Sequence, residues 1–316
     1  MSIYSNPDTL VKPEYKYLFD LARDNREDIC NAVFDKEAIK KFNDEYGMLG
    51  EANFELVMSS LDEIKGDTNY TDLCCVLYTF MKNDVCPYDI KPVADKSQKS
   101  EFALMLPFFA CVSDFCTDAL KRGVDKNILS ATLRAVDMYI TSNQKRMGVP
   151  GTSAYHSWLP RYAMGKLFRI GQFQFEIHSN DIISVHIPRG TVLNVRDNLI
   201  NFREALEFFN KYYPEYDFKN FGTSTWLLNP HMEKIMGRPT NITRFGDMFE
   251  RLGESDEDGV YINLFGMAKP QNLNDLPEET SMQRNVKKYL MDGNVFKDYV
   301  GAISLERLQK LILETE

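Results

Sequence analysis

The chain has 316 residues, 44% of them hydrophobic and 26% charged, a length that suits two domains and a composition that gives disorder no support. Its formal net charge of −9 argues against nucleic acid as a main partner, because neutralising phosphates takes a surplus of Lys and Arg. Two local basic pairs, Lys121 with Arg122 and Lys145 with Arg146, fall at expected helix ends, where cations complement the helix dipole.

The amino terminus, Met1-Ser2-Ile3-Tyr4-Ser5-Asn6, lacks the basic and apolar stretches of a signal peptide, and the expected location is the cytoplasm. Helices are expected over 51–64, with Phe54, Val57, Leu61 and Ile64 on one face, and over 70–81, 101–120 and 126–140. Turn residues at 47–50, 66–69 and 87–92 separate them. The most apolar run, 102–112, is shorter than the roughly 20 residues a bilayer requires and contains Pro107, so no membrane partner is expected. All six cysteines (Cys30, Cys74, Cys75, Cys86, Cys111, Cys116) lie in this half, without zinc-site spacing, and read as small buried hydrophobes. A catalytic cysteine would need a base, and the four histidines, His156, His178, His186 and His231, all sit in the other half. No two of them share a face with a carboxylate, so no metal is expected.

The character of the chain changes around Gly148-Val149-Pro150-Gly151, which divides it into a mainly helical part, 1–150, and a mixed part, 151–316. A helix is expected over 153–164. The period then becomes 2: Phe173, Phe175 and Ile177 alternate with polar residues, and Ile183, Val185 and Ile187 do the same after Ser179-Asn180-Asp181. This is an antiparallel hairpin with one buried face. Asp197 is placed to cap a helix carrying Phe202, Leu206, Phe209 and Tyr213. A strand near 221–228, helices at 229–236 and 243–251, a strand at 260–265 and helices at 281–291 and 304–313 complete an α+β chain. No internal repeat, Walker loop, G-x-G-x-x-G, G-x-S-x-G or H-E-x-x-H motif is present.

The constellation with chemical potential is Ser184-Val185-His186-Ile187-Pro188-Arg189-Gly190. Ser184 and His186 project from one face of a strand that ends in a loop before a helix, a place where backbone N–H groups converge. His186 is either a general base or acid, or a polar strand residue that meets water, Gln172 or Gln174. Arg189, Arg196 and Arg203 either meet an anion or pair with Asp197, Glu204 and Glu207. Trp226 is either core or a stacking platform, and Tyr261 either packs in a strand or serves as an acid for a thiolate leaving group.

Gly171-Gln172-Phe173-Gln174-Phe175-Glu176, Val185-His186-Ile187-Pro188-Arg189-Gly190, Ser224-Thr225-Trp226-Leu227-Leu228-Asn229-Pro230 and Leu276-Pro277-Glu278-Glu279-Thr280-Ser281-Met282-Gln283-Arg284 resemble the bacterial acyltransferase domain-containing proteins. Ala205-Leu206-Glu207-Phe208-Phe209 and Thr240-Asn241-Ile242 match as well, in the family's order along the whole chain. The family pairs an N-acyltransferase N-terminal domain with a GNAT-like C-terminal domain. The resemblance implies a GNAT-like α/β domain over 151–316 and an N-acyltransferase that takes acyl-CoA and a small-molecule or peptide amine. It also implies a pantetheine site along Ser184, Val185 and Ile187, pyrophosphate near Arg189 and Gly190, and His186 and Tyr261 as base and acid. The family's phosphate loop is glycine-rich, whereas 189–198 has Gly190 alone and carries Asp197; the family's cysteine before Trp-Leu-Leu is Thr223 here. A non-catalytic ligand-sensing or protein-interaction module on the same fold is the alternative, and a homo-oligomer is open.

Overall fold

The computed structural model describes residues 13–85, 97–152, 158–256 and 259–315. Residues 1–12, Cys86, the turn at 87–92, 153–157 with His156, and the side chain of Arg146 lie outside the described residues. The chain divides into two compact units, Met1–Phe168 and Arg169–Glu316.

The first unit is helical: α1 (Tyr17–Asp24), α2 (Arg26–Val33), α3 (Lys36–Tyr46), α4 (Glu51–Lys65), α5 (Thr68–Lys82), α6 (Gln98–Lys121), α7 (Lys126–Leu133), α8 (Ala135–Met147) and α9 (Leu159–Ala163). The stretch expected as one helix over 126–140 is two, broken at Arg134. α5 and α6 form the middle, and Cys74, Phe80, Phe102, Phe108 and Cys116 are all nearly inaccessible there. At 24 residues, α6 outruns the apolar stretch seen in sequence and is long enough to cross a bilayer. Because 67% of its most apolar window is buried within the protein, it is accounted for as a core helix. Lys121 closes its last turn and pairs with Asp118 at 3.0 Å, the helix-end role expected of it.

The second unit is built on a six-stranded sheet in the order β1-β2-β3-β4-β6-β5. Its strands are β1 (Leu167–Ile170), β2 (Phe173–Ile177), β3 (Ile182–His186), β4 (Asn220–Thr225), β5 (Glu250–Ser255) and β6 (Asp298–Ser304). The β2–β3 hairpin is present and antiparallel, with Gln174 opposite His186 and Glu176 opposite Ser184. β2 is buried on both faces, not one: Gln174 is 5% and Glu176 7% exposed. α10 (Val195–Tyr212) lies on the other face of the sheet, where Phe202 meets Phe221, Phe173 and Phe175 at ring separations of 4.9, 5.7 and 5.8 Å. Phe245 and Phe249, on and just after α12 (Asn241–Met248), close this aromatic core.

After β4 the chain makes a 3₁₀ turn at Trp226–Leu228 and enters α11 (Met232–Met236); later come α13 (Gly259–Asn263), α14 (Ser281–Met291) and α15 (Leu305–Thr315). The expected strand at 260–265 is instead helix α13 followed by a turn, and Val260 and Tyr261 on the helix and Phe265 just after it are buried in a separate apolar cluster with Met232, Leu276, Val286 and Leu290. Trp226 is half-buried against the same cluster, 6.5 Å from Phe296, and so serves as packing.

Candidate functional site

β3 is flanked by two different neighbours. Its antiparallel ladder with β2 runs on to His186, but its parallel ladder with β4 covers Ile182, Ile183 and Ser184 opposite Asn220, Phe221 and Gly222 and then stops. At the next position a side chain replaces the rung: Thr223 Oγ1 donates to the Val185 carbonyl at 2.8 Å. Beyond it, β4 stays paired only to β6 and β3 only to β2. The carboxyl ends of a parallel pair whose strands part company are a usual ligand position in α/β sheets, because strand-end backbone groups and the following helix N-terminus face one crevice.

On the polar face of the hairpin, His186 Nε2 lies 2.7 Å from Glu176 Oε2. The pair is diagonal across the ladder, since Glu176 sits opposite Ser184 and Gln174 opposite His186. Its side chains are 22% and 10% exposed, so the carboxylate is largely withdrawn from water while the imidazole stays reachable. A carboxylate on one ring nitrogen fixes the ring's orientation and its tautomer. Water, Gln172 and Gln174 are the partners expected of His186 from the sequence; the structure adds Glu176. A hairpin turn centred on Asn180 places Glu176 opposite Ser184, so the register carried that signal.

Ser184 shares the polar face with His186, whereas Val185 is 1% exposed and belongs to the core; Ile187 is half-buried just past the strand. Arg189 and Gly190 are the exposed corners of a turn closed by Thr191 N–H donating to the Pro188 carbonyl at 3.1 Å. Gly190 has φ +87°, so the turn itself demands glycine at this position. The cap of α10 is Asn194, not Asp197: its side chain accepts from the N–H groups of Arg196 and Asp197, and Asp197 stands in the first turn. Arg189 and Arg196 make no ion pair among the described residues, so the pairing expected for them with Asp197, Glu204 and Glu207 does not form. Tyr261 is 3% exposed on α13, with Phe265 at 6.3 Å between ring centres and the Lys269 ammonium 5.6 Å from its own. Among the described residues no cluster of metal-binding side chains occurs.

Several backbone N–H groups of the glycine-poor loop are already used. The N–H groups of Thr191, Val192, Arg196 and Asp197 are already donated to Pro188, Gln172 and Asn194. An anion there would meet fewer free backbone donors than in a glycine-rich cradle; Arg189 and Arg196 are exposed beside it.

Residues 167–303 match the family model described as a GNAT-like C-terminal domain. Among solved structures, the chain is similar to an acyltransferase in complex with decanoyl-CoA and teicoplanin, at TM-score 0.75 and 19% identity over 84% of this chain and 87% of that one. It is similar to an acyltransferase mutant in complex with octanoyl-CoA, at TM-score 0.74 and 18% identity over 85% and 88%. A third, an acyltransferase with CoA and 10C-teicoplanin, gives TM-score 0.73 and 18% identity over 84% and 87%. No curated protein matches the chain in sequence.

Proposed function

We propose that this chain, whose residues 167–303 form a GNAT-like C-terminal domain, transfers an acyl group from acyl-CoA to an amine, with His186 as the general base. The observation that carries the reading is the His186–Glu176 pair, at the end of the strand whose parallel ladder to β4 stops two residues earlier. Acyl-CoA-bound structures of the same fold support the donor, and a complex with teicoplanin supports a small-molecule or peptide amine as acceptor.

Glu176 accepts the Nε2–H of His186, which puts the basic lone pair on Nδ1. An acceptor ammonium gives up a proton to that nitrogen. The neutral amine adds to the thioester carbonyl and the C–N bond forms; the adduct nitrogen gives its second proton to solvent water, and the C–S bond breaks with its electron pair on sulfur. The imidazolium, stabilised by Glu176, then returns a proton as the CoA thiolate becomes a thiol. One residue thus serves as base and acid, and Tyr261 keeps its packing position. Arg189 and Arg196, exposed beside the loop, are the cations for the phosphates of CoA.

The test compares the wild type with His186→Ala for CoA binding and for acyl transfer to a panel of amines. The reading predicts unchanged CoA affinity and a loss of turnover of about 10²-fold or more. A variant as active as the wild type would remove His186 from the chemistry. A wild type that binds CoA yet acylates no amine favours the non-catalytic, ligand-sensing module.

A further inference from the structure

The turn between β1 and β2 does more than reverse the chain. Gly171 has φ +58°, and a Cβ built there would lie 2.2 Å from the Asn201 side chain, so the turn packs directly on α10. Asn201 Oδ1 accepts the Gln172 backbone N–H at 3.1 Å. From this anchored position the Gln172 side chain reaches the loop that follows β3. Its Oε1 accepts the Val192 N–H at 3.1 Å, and its Nε2 donates to Asn198 Oδ1 on α10 at 3.0 Å. Thr191 braces the loop from within, its hydroxyl donating to the Pro188 carbonyl at 2.6 Å. One side chain therefore holds the middle of the loop and the first turns of α10 in a fixed relation, with the two cations, Arg189 and Arg196, on the parts it ties together.

We infer that Gln172 is a positioning residue for the phosphate-bearing end of CoA: it presets the 188–194 loop so that Arg189 and Arg196 face the phosphates without an ordering cost on binding. The inference rests on the acyl-CoA reading above. It follows from the scarcity of glycine in this loop. A cradle of backbone amides carries its geometry in its own conformation, whereas long arginine side chains on an exposed turn need the backbone beneath them held still if binding is not to be spent on ordering it. Gln172 supplies that hold from outside the loop, and it acts only on the nucleotide half of the ligand, because β3 itself is fixed by its own ladder with β2.

The experiment uses the full chain and two probes, CoA and octanoyl-pantetheine, which keeps the thioester and pantetheine arm but lacks the nucleotide. Gln172→Met matches the side chain in length and removes both amide contacts. CoA binding is expected to weaken about tenfold, as for two neutral hydrogen bonds, while octanoyl-pantetheine, measured by displacement of labelled CoA, keeps its wild-type affinity. Thr191→Val, which removes the hydroxyl's bond to the Pro188 carbonyl and leaves the Gln172 side chain in place, should shift CoA in the same direction and serves if the first variant folds poorly. Equal weakening of both probes would reduce Gln172 to a structural role and overturn the inference. Unchanged CoA affinity in both variants would overturn it too, while leaving the acyl-CoA reading standing. A wild type that binds neither probe would overturn both.

Discussion

Glu176 and His186 meet across the β2–β3 hairpin at 2.7 Å, the carboxylate buried and the imidazole only partly so. In the proposed mechanism Glu176 is a positioning residue for His186. Glu176→Gln keeps the shape and a hydrogen-bonding oxygen but removes the charge that stabilises the imidazolium. A hydrogen bond to a charged partner is worth about 1.5–3 kcal/mol, so kcat should fall roughly 10- to 100-fold while KM for acyl-CoA changes little. A variant that loses affinity and keeps kcat would place Glu176 outside the proton transfer.

Thr223 holds the point where β3 and β4 separate, through its hydroxyl on the Val185 carbonyl. Thr223→Val leaves that carbonyl without its donor in a region where Thr223 is 8% exposed. The cost is expected at about 1–3 kcal/mol, read as a lowered melting temperature. Thr223→Ser retains the hydroxyl and should recover most of it; a serine variant no better than valine would mean that the methyl group, not the bond, matters.

Phe202 is the centre of the aromatic core between α10 and the sheet, within 4.9–6.2 Å of the rings of Phe221, Phe173, Phe175 and Phe249. Phe202→Ala should cost about 3–5 kcal/mol in denaturant unfolding, from lost burial and the cavity left behind. A cost under about 1 kcal/mol would show that the helix collapses onto the sheet without it.

Burial pushes the Cys111 and Cys116 thiols up to about 12 and raises Cys74 and Cys75 as well. Since the thiolate is the reactive form, these four should resist alkylation by N-ethylmaleimide at pH 7.5 and react only on unfolding. Mass spectrometry of the native protein after labelling checks this; rapid modification of Cys116 would contradict the packing described for α6.

The hairpin and most helices were legible because their apolar residues keep one period over a long enough stretch. α14 begins at Ser281 and ends at Met291 as its pattern implies. Short elements were not legible. Val260 to Phe265 is a brief apolar run that fits a buried strand or a buried helix equally, and packing on Leu276, Val286 and Leu290 chose the helix. β5 is an edge strand with five of its six residues exposed, so no alternation announces it, and β6 is a strand because β4 and β5 pair with it from both sides. Asn194 and Asp197 are both good caps, and the structure uses the earlier one. His186 was visible as a strand residue with useful chemistry. Glu176 and Gln172 were not, because their roles depend on hairpin register and on a loop 20 residues away.

Calorimetric titration of CoA into the 316-residue chain tests whether CoA is its ligand. Saturable binding at one site per chain is expected, weakened when Arg189 and Arg196 are both changed to Ala. No heat of binding up to millimolar CoA, with a cooperatively folded protein in the cell, would contradict it.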